Sequence, residues 1–288
     1  MLKSRAMANH ARVIVPAALA LAVLLAAAPA RAQREPRVPP ELIERVGEWA
    51  ERYLASFPAY AAEETLVQTR WDRSRRESSR RIISVYMVMR LADNPRELAE
   101  FRDVVAVDEK IFQSPEERIA KWEKIAAART RSEITALMED PGRHRFSSDW
   151  FASLGLLVSR VATRHHSKMR YFFPADVSEV VTRNVLIGYR QNDGTGLMEV
   201  DGRAIYPMGT AWVEPDDGHV VRIEEEFEHK GKRYHIAVDF VESDEVGALT
   251  PGHIVVRFFE RGRLTLQNSY TYSKFRPLGN AASSVAVP

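Results

Sequence analysis

The sequence predicts an α+β fold, with one antiparallel sheet of about ten strands and helices on one side of it. Three observations carry this. An early segment repeats apolar residues at helical spacing. From Lys168 onward the pattern is almost wholly that of strands. Short turn sequences such as "PDDG", "HKGK" and "ERGR" separate those strands, so neighbours in sequence pair as a meander. No Pro-, Gly- or Ser-rich linker divides the chain, and one domain is expected.

The first element is a leader. Lys3, Arg5 and Arg12 precede an uncharged apolar run over residues 13–30, and Ala30-Arg31-Ala32 obeys the small-x-small rule. This reads as a secretory signal peptide, residues 1–32, cleaved after Ala32. A retained membrane anchor is the alternative, because the run is near the spanning length. Removing the four basic residues of the leader from 41 leaves 37 against 39 acids, a net charge of −2. The basic balance of the whole chain therefore belongs partly to the leader, and nucleic acid is not an expected partner. There is no cysteine. Disulfides, thiol catalysis and a lipid-modified N-terminal cysteine are excluded.

Domain 33–278 opens on "VPPELIERVGEWAERYLASFP", in which Leu42, Val46, Trp49, Tyr53 and Phe57 share one helix face. The prolines suit a first helical turn. "AEETLVQTRW" and "RRIISVYMVMRLA" follow as strands joined by a polar turn. The second is apolar on both faces, with Ile83, Val85, Met87 and Met89 opposite Ile82, Tyr86 and Val88, which predicts cover on both. "ELAEFRDVVAV" is a third strand. Ser114-Pro115-Glu116-Glu117 is a capping box, and one helix should run on through "RIAKWEKIAAARTRSEITALM" to "EDPG". Another helix near "SSDW" uses Leu154, Val158 and Val161. The strands after Lys168 alternate: Tyr234, Ile236, Val238 and Phe240 share a face, as do Leu264, Leu266, Tyr270 and Tyr272. Residues 279–288 read as a disordered tail.

No motif names a reaction. Asp103, Asp108 and Glu109 in "FRDVVAVDEKIF" could be an acid pair, but a strand ending in a turn explains them better. There is no HExxH, no GxSxG elbow and no Asp-rich calcium loop. His144, His229, His235 and His253 are too scattered to specify a metal site. No cofactor and no metal are expected, and the protein reads as a non-enzyme. Two features remain. Arg70, Arg73, Arg75, Arg76, Arg80 and Arg81 cluster at one turn. They are either a solvated hairpin tip or a contact for anionic headgroups or an acidic partner, with Arg73, Arg75, Arg76 and Arg80 the candidates. Met87, Met89, Trp212 and Phe258 lie on strands apolar on both sides. They are either ordinary core or the lining of a cavity for an apolar ligand.

This order of elements resembles the outer-membrane lipoprotein carrier family. "GTAWVEPDDGHVVRIEEEF" looks like that family's tryptophan strand, Pro-containing turn and returning strand. "FRDVVAVDEKIF", "AWVEPDDGHVVRIE" and "SYTYSKFRPL" further resemble a group of uncharacterised exported bacterial proteins of this architecture, in which Gly commonly follows "VD" where Glu109 stands here. The resemblance spans most of 42–278. It implies a curved half-barrel sheet with helices packed on its concave face, in a periplasmic carrier that holds lipid. The expected function is thus non-catalytic binding of a lipid or lipoprotein acyl chain. The alternative is an envelope protein-interaction or stress-sensor domain with a filled cavity. Lipid or an acylated protein, an envelope protein and an anionic membrane surface are the expected partners.

Overall fold

Alternation of β-branched and aromatic residues with polar ones builds the larger part of the protein. The computed structural model describes residues 37–72, 77–90, 98–128, 130–138, 141–146, 153–174, 183–192, 197–200 and 202–278. The leader, the tail, and Arg73, Arg75 and Arg76 lie outside the described residues. Strands β1 (Tyr60–Trp71), β2 (Glu77–Arg90), β3 (Leu98–Val107) and β4 (Lys110–Ile111) precede β5 (Met169–Phe172) and β6 (Val185–Gln191). Then come β7 (Met198–Val200), β8 (Arg203–Ile205), β9 (Met208–Val213), β10 (Val220–His229), β11 (Lys232–Ser243), β12 (Ala248–Glu260) and β13 (Arg263–Pro277).

Eleven described strands form one open sheet in the order β4-β3-β2-β1-β13-β12-β11-β10-β9-β6-β5, while β7 and β8 pair separately. All its pairings are antiparallel, and β13 returns to lie beside β1. The apolar stretch "AIYPMGTAWV" holds the end of one strand, β8, and a second, β9, because Pro207 lacks the donor a ladder needs.

The even positions of β1 and the residues paired with them form the inner face. Tyr60, Leu66, Tyr86, Val104, Ile223, Ile236, Val256 and Tyr270 bury there in the main core. Helix α1 (Pro40–Ser56) lays Leu42, Val46, Ala50 and Tyr53 onto this face. It sits toward the β11–β12 and β9–β10 turns. The Tyr53 hydroxyl donates to the Leu249 carbonyl at 2.9 Å, and the Tyr53 and Phe240 rings meet edge-on at 6.3 Å. Gly218, at φ +78, comes so near α1 that a Cβ there would sit 2.7 Å from the Arg45 backbone. Short helix α4 (Leu154–Ser159), capped by Ser153, adds Leu154, Leu157 and Val158.

The other helical segment differs from expectation in two ways. It is two helices, α2 (Pro115–Ala127) and α3 (Arg131–Leu137). Each begins with a complete capping box, Ser114 with Glu117 and Thr130 with Glu133. The "TRSE" inside the apolar pattern is a second start signal, and it breaks the helix there. Second, α1 and α4 lie on one side of the sheet as expected, whereas α2 and α3 cover the opposite, outer face. Met87, Ala99, Phe101, Trp122, Ile125 and Ile134 make a separate cluster there. Both faces of β2 are thus buried. Farther along, the outer face is polar and uncovered. Arg222 bonds Glu224 and Asp239, His235 lies 3.5 Å from Glu224, and His253 bonds Ser269 at 2.9 Å.

Candidate functional site

The inner face ends differently at its two ends. The far end is closed by α1. The near end carries the β1–β2, β10–β11 and β12–β13 turns, and it holds a cavity of about 820 Å³. Phe146, Phe258, Leu264 and Leu266 give it an apolar wall. Arg70, Lys232, Arg261 and Arg263 line it as well, against Asp72 and Glu260. Strand pairing accounts for the set, since Arg70 lies opposite Leu266 and Leu266 opposite Phe258. Phe146 is brought in from outside the sheet. Its backbone N–H donates to Gln68 Oε1 at 3.0 Å, and the guanidinium groups of Arg70 and Arg80 each lie 4.7 Å from its ring. Such cation–π contacts hold a ring while leaving the cations partly wet.

One step inward the face becomes polar. Gln68 donates to Asn268 Oδ1 at 2.9 Å. Arg102 Nε donates to Glu64 Oε2 at 2.8 Å, with both side chains nearly inaccessible, and its guanidinium lies 4.7 Å from the Tyr86 ring. Glu100 accepts from the Tyr86 hydroxyl at 2.9 Å, the Ser153 hydroxyl at 3.0 Å and the Leu154 N–H at 2.7 Å, so it ties β2 to the start of α4. Among the described residues Glu64 Oε1 has no hydrogen-bond partner. Burial pushes the hydroxyls of Tyr60, Tyr86 and Tyr272 well above the ordinary tyrosine range, so all three stay protonated and neutral. Burial also pulls the Arg145 guanidinium down, opposed by Tyr270 and Glu64.

A second polar island lies under α4. Arg160 Nε donates to Glu225 Oε2 at 3.2 Å, and the Tyr189 hydroxyl donates to the same oxygen at 3.2 Å. Burial pushes the Glu225 carboxyl up, opposed by Arg160.

The residues expected to line one cavity are not together. Phe258 is in the wall of the near-end cavity. Met87 is fully buried on the outer face beneath α2 and α3, with Met89 packed against the same cluster. Trp212 is on the outer face too, half-buried, opposite Arg222, whose guanidinium lies 5.4 Å from its ring. A two-faced apolar strand does mark double cover, but the second cover here is helix and not ligand space. Arg80 faces inward, clamping Phe146 and donating to the His144 carbonyl at 2.7 Å.

The three acids of "FRDVVAVDEKIF" have structural places. Asp103 is buried on the outer face and accepts two bonds from Lys121 of α2, at 2.8 and 2.9 Å. Asp108, at φ 53, makes the β3–β4 turn and accepts from the Arg81 N–H at 2.9 Å; Glu109 beside it is exposed. Among the described residues no group of three or more His, Asp or Glu is placed to hold a metal. No helix among them is long and apolar enough to cross a membrane.

Sequence reading missed Phe146, Arg102, Glu64, Arg160 and Glu225. For the acids a signal exists. Glu64 interrupts the inward series Tyr60, Ala62, Leu66, and Glu225 interrupts Ile223, Phe227; a charge at a core-facing parity is an informative anomaly. Phe146 carries no such mark, because its segment follows no period, and Arg160 stands at the end of a short helix whose apolar spacing does not single it out.

No family model matches the chain, and no curated protein matches it. Among solved structures it resembles a LolA superfamily protein from Nitrosomonas europaea, at 10% identity and TM-score 0.35, over 82% of this chain and 93% of that one. It also resembles an outer membrane lipoprotein-sorting protein domain from Vibrio parahaemolyticus, at 10% identity and TM-score 0.36, over 85% and 92%. A DUF1329 family protein from Desulfovibrio piger is similar at 11% identity and TM-score 0.32, over 86% and 92%.

Proposed function

We propose that this is an exported, periplasmic binding protein that holds an anionic amphiphile, a lipid or an acyl chain bearing an acidic head, without chemistry. The near-end cavity carries this reading. Its volume, about 820 Å³, is within the range of small-molecule sites. Apolar residues Phe146, Phe258, Leu264 and Leu266 would take the chain, and Arg70, Arg261, Arg263 and Lys232 the head. Ten buried methylenes would contribute about 8 kcal/mol at about 0.8 kcal/mol each, so a chain alone supplies useful affinity. Native mass spectrometry of the purified protein, followed by fluorescent fatty-acid uptake, tests this. Leu264→Trp fills the cavity and should lower uptake at least about tenfold with an unchanged melting temperature. A wild-type protein that takes up no acyl ligand sinks the reading.

A second reading rests on the middle of the inner face, which its own tyrosines and the Glu64–Arg102 pair fill. In that case the protein would be an envelope interaction or stress-sensor domain that binds another protein. Retrieval of a specific protein from envelope extract, together with absent acyl uptake, would favour it.

A further inference from the structure

The turns at the two ends of the sheet carry opposite charge, and the cavity opens at the basic end. The near end is built from the 228–233 stretch "EHKGKR", the 260–263 stretch "ERGR" and the described flanks of the β1–β2 turn, 70–72 and 77–81. Together these hold eight Lys or Arg against four Asp or Glu, a net charge of +4. The β3–β4 turn, which stops level with Ile82, offsets one of these charges. At the far end the 214–219 stretch "EPDDGH" and the 242–247 stretch "ESDEVG" hold six acids and no Lys or Arg; Arg183, paired to Glu214 at 2.8 Å, and Arg90, Lys274 and Arg276 at the ends of β2 and β13 offset part of this. The whole domain has a net charge close to zero, so this is segregation and not excess.

Large apolar side chains are exposed on the same basic end. Tyr206 and Met208, 44% and 51% exposed, flank Pro207 where β9 begins opposite Glu226. Ile111, 72% exposed, follows the β3–β4 turn with Phe112 and is set back from that end, level with Ile82. Cations flanked by exposed aromatic and aliphatic residues fit a bilayer interface, where the cations meet anionic headgroups and the apolar groups enter the headgroup boundary. An acidic protein would satisfy the cations but not the apolar groups beside them.

We infer that the near end is a docking surface for an anionic lipid bilayer, and that the acidic far turns orient the molecule so that the cavity mouth faces the lipid. The inference goes beyond the carrier reading and does not require a ligand in the cavity. Co-sedimentation of the full mature chain with phosphatidylglycerol-containing vesicles, against pure phosphatidylcholine, measures it. Binding should be at least about tenfold stronger to the anionic vesicles and should fall steeply as salt rises, because exposed charges are screened within roughly 8 Å at physiological ionic strength. The triple variant Arg81→Glu/Lys230→Glu/Arg233→Glu uses residues outside the cavity wall. It should bind at least about a hundredfold more weakly, at roughly fivefold or more per charge. Tyr206→Ser/Met208→Ser should weaken binding about threefold to tenfold and leave the salt dependence unchanged. Circular dichroism keeps misfolding separate from lost docking. Equal binding to both vesicle types, no binding to either, or a correctly folded triple variant that binds like wild type would overturn the inference. Vesicle binding without fatty-acid uptake would leave it standing and defeat the carrier reading; uptake without vesicle binding would do the reverse.

Discussion

Replacing Arg160 by Met leaves the Glu225 carboxylate buried without its cation. The two side chains are 1% and 0% exposed and lie 3.2 Å apart. Among the described residues only the Tyr189 hydroxyl remains as a donor to that carboxylate, since Glu225 Oε1 has no hydrogen-bond partner among them. Removing one partner of a buried pair costs about 3–5 kcal/mol. In a domain of this size that lowers Tm by roughly 6–20 °C. The double variant Arg160→Met/Glu225→Leu removes both charges and orphans only the Tyr189 hydroxyl, so about 1–3 kcal/mol of loss should remain. Urea unfolding of wild type, both single variants and the double variant should therefore return a coupling of at least about 2 kcal/mol. The pH dependence has a definite sign. Burial raises the Glu225 pKa in the folded state, so the fold holds that proton more tightly than the unfolded chain does. Its contribution to stability is then greatest at low pH. That contribution falls as pH rises from the ordinary glutamate value, about 4.3, through the raised folded value. Without Arg160 the raise is larger, so Arg160→Met should recover stability on acidification from about pH 7 to pH 5 more than wild type does. A single variant within about 1 kcal/mol of wild type at unchanged m-value, or losses that simply add, would refute the reasoning.

Three further outcomes are expected. Trp122→Ala removes the largest side chain of the outer cluster and should cost about 3–5 kcal/mol, with hydrogen exchange rising in α2 and α3 before the inner core. Gly218→Ala meets both a positive φ and the Arg45 backbone, and should destabilise by about 2 kcal/mol or more, read as a lower urea midpoint. Glu224 is held at about pKa 2 by hydrogen bonds from His235 and Arg222. It therefore stabilises the fold above the unfolded value and loses this as pH falls from about 4 to 2; half-exposed, it contributes about 1 kcal/mol at most. Glu224→Gln should flatten that part of the acid-denaturation profile.

The sheet was legible because its strands obey a period of two and its turns are spelled in Gly, Asp and Lys. Tyr234 to Phe240 face one way as read, and Ser114 caps its helix as read. The face chosen by α2 and α3 was not legible. Alternation shows that both sides of β2 are apolar, but it does not say which helix covers which side. The break at Thr130 was written in the sequence and was masked by the continuing apolar spacing of Ile134 and Leu137. The cavity was the least legible part. Its wall takes Phe258 and Leu266 from strands, but Phe146 from a stretch whose position is set by a hydrogen bond from its backbone N–H to Gln68 and two arginine stacks. Contacts of that kind depend on the finished fold and leave no periodic trace.

Double cover of β2 and β3 creates a problem of alignment. Where one side of a sheet is wet, sliding a strand by one residue is punished at once, because its apolar set is thrown into water. Here both sides are dry over much of β2 and β3, so apolar residues would tolerate the slip. The buried charges do not. Arg102 points inward to Glu64, and its neighbour Asp103 points outward to Lys121. A slip of one residue would carry Arg102 into the Met87–Phe101–Trp122 cluster and Asp103 in among the inner-face tyrosines, leaving Arg102, Asp103 and Glu64 buried without their partners and the part-buried Lys121 without its own. The two ion pairs therefore work like teeth of opposite hand on a single strand. They admit one alignment of β3 and reject its neighbours, in a part of the molecule where oil alone could not tell them apart.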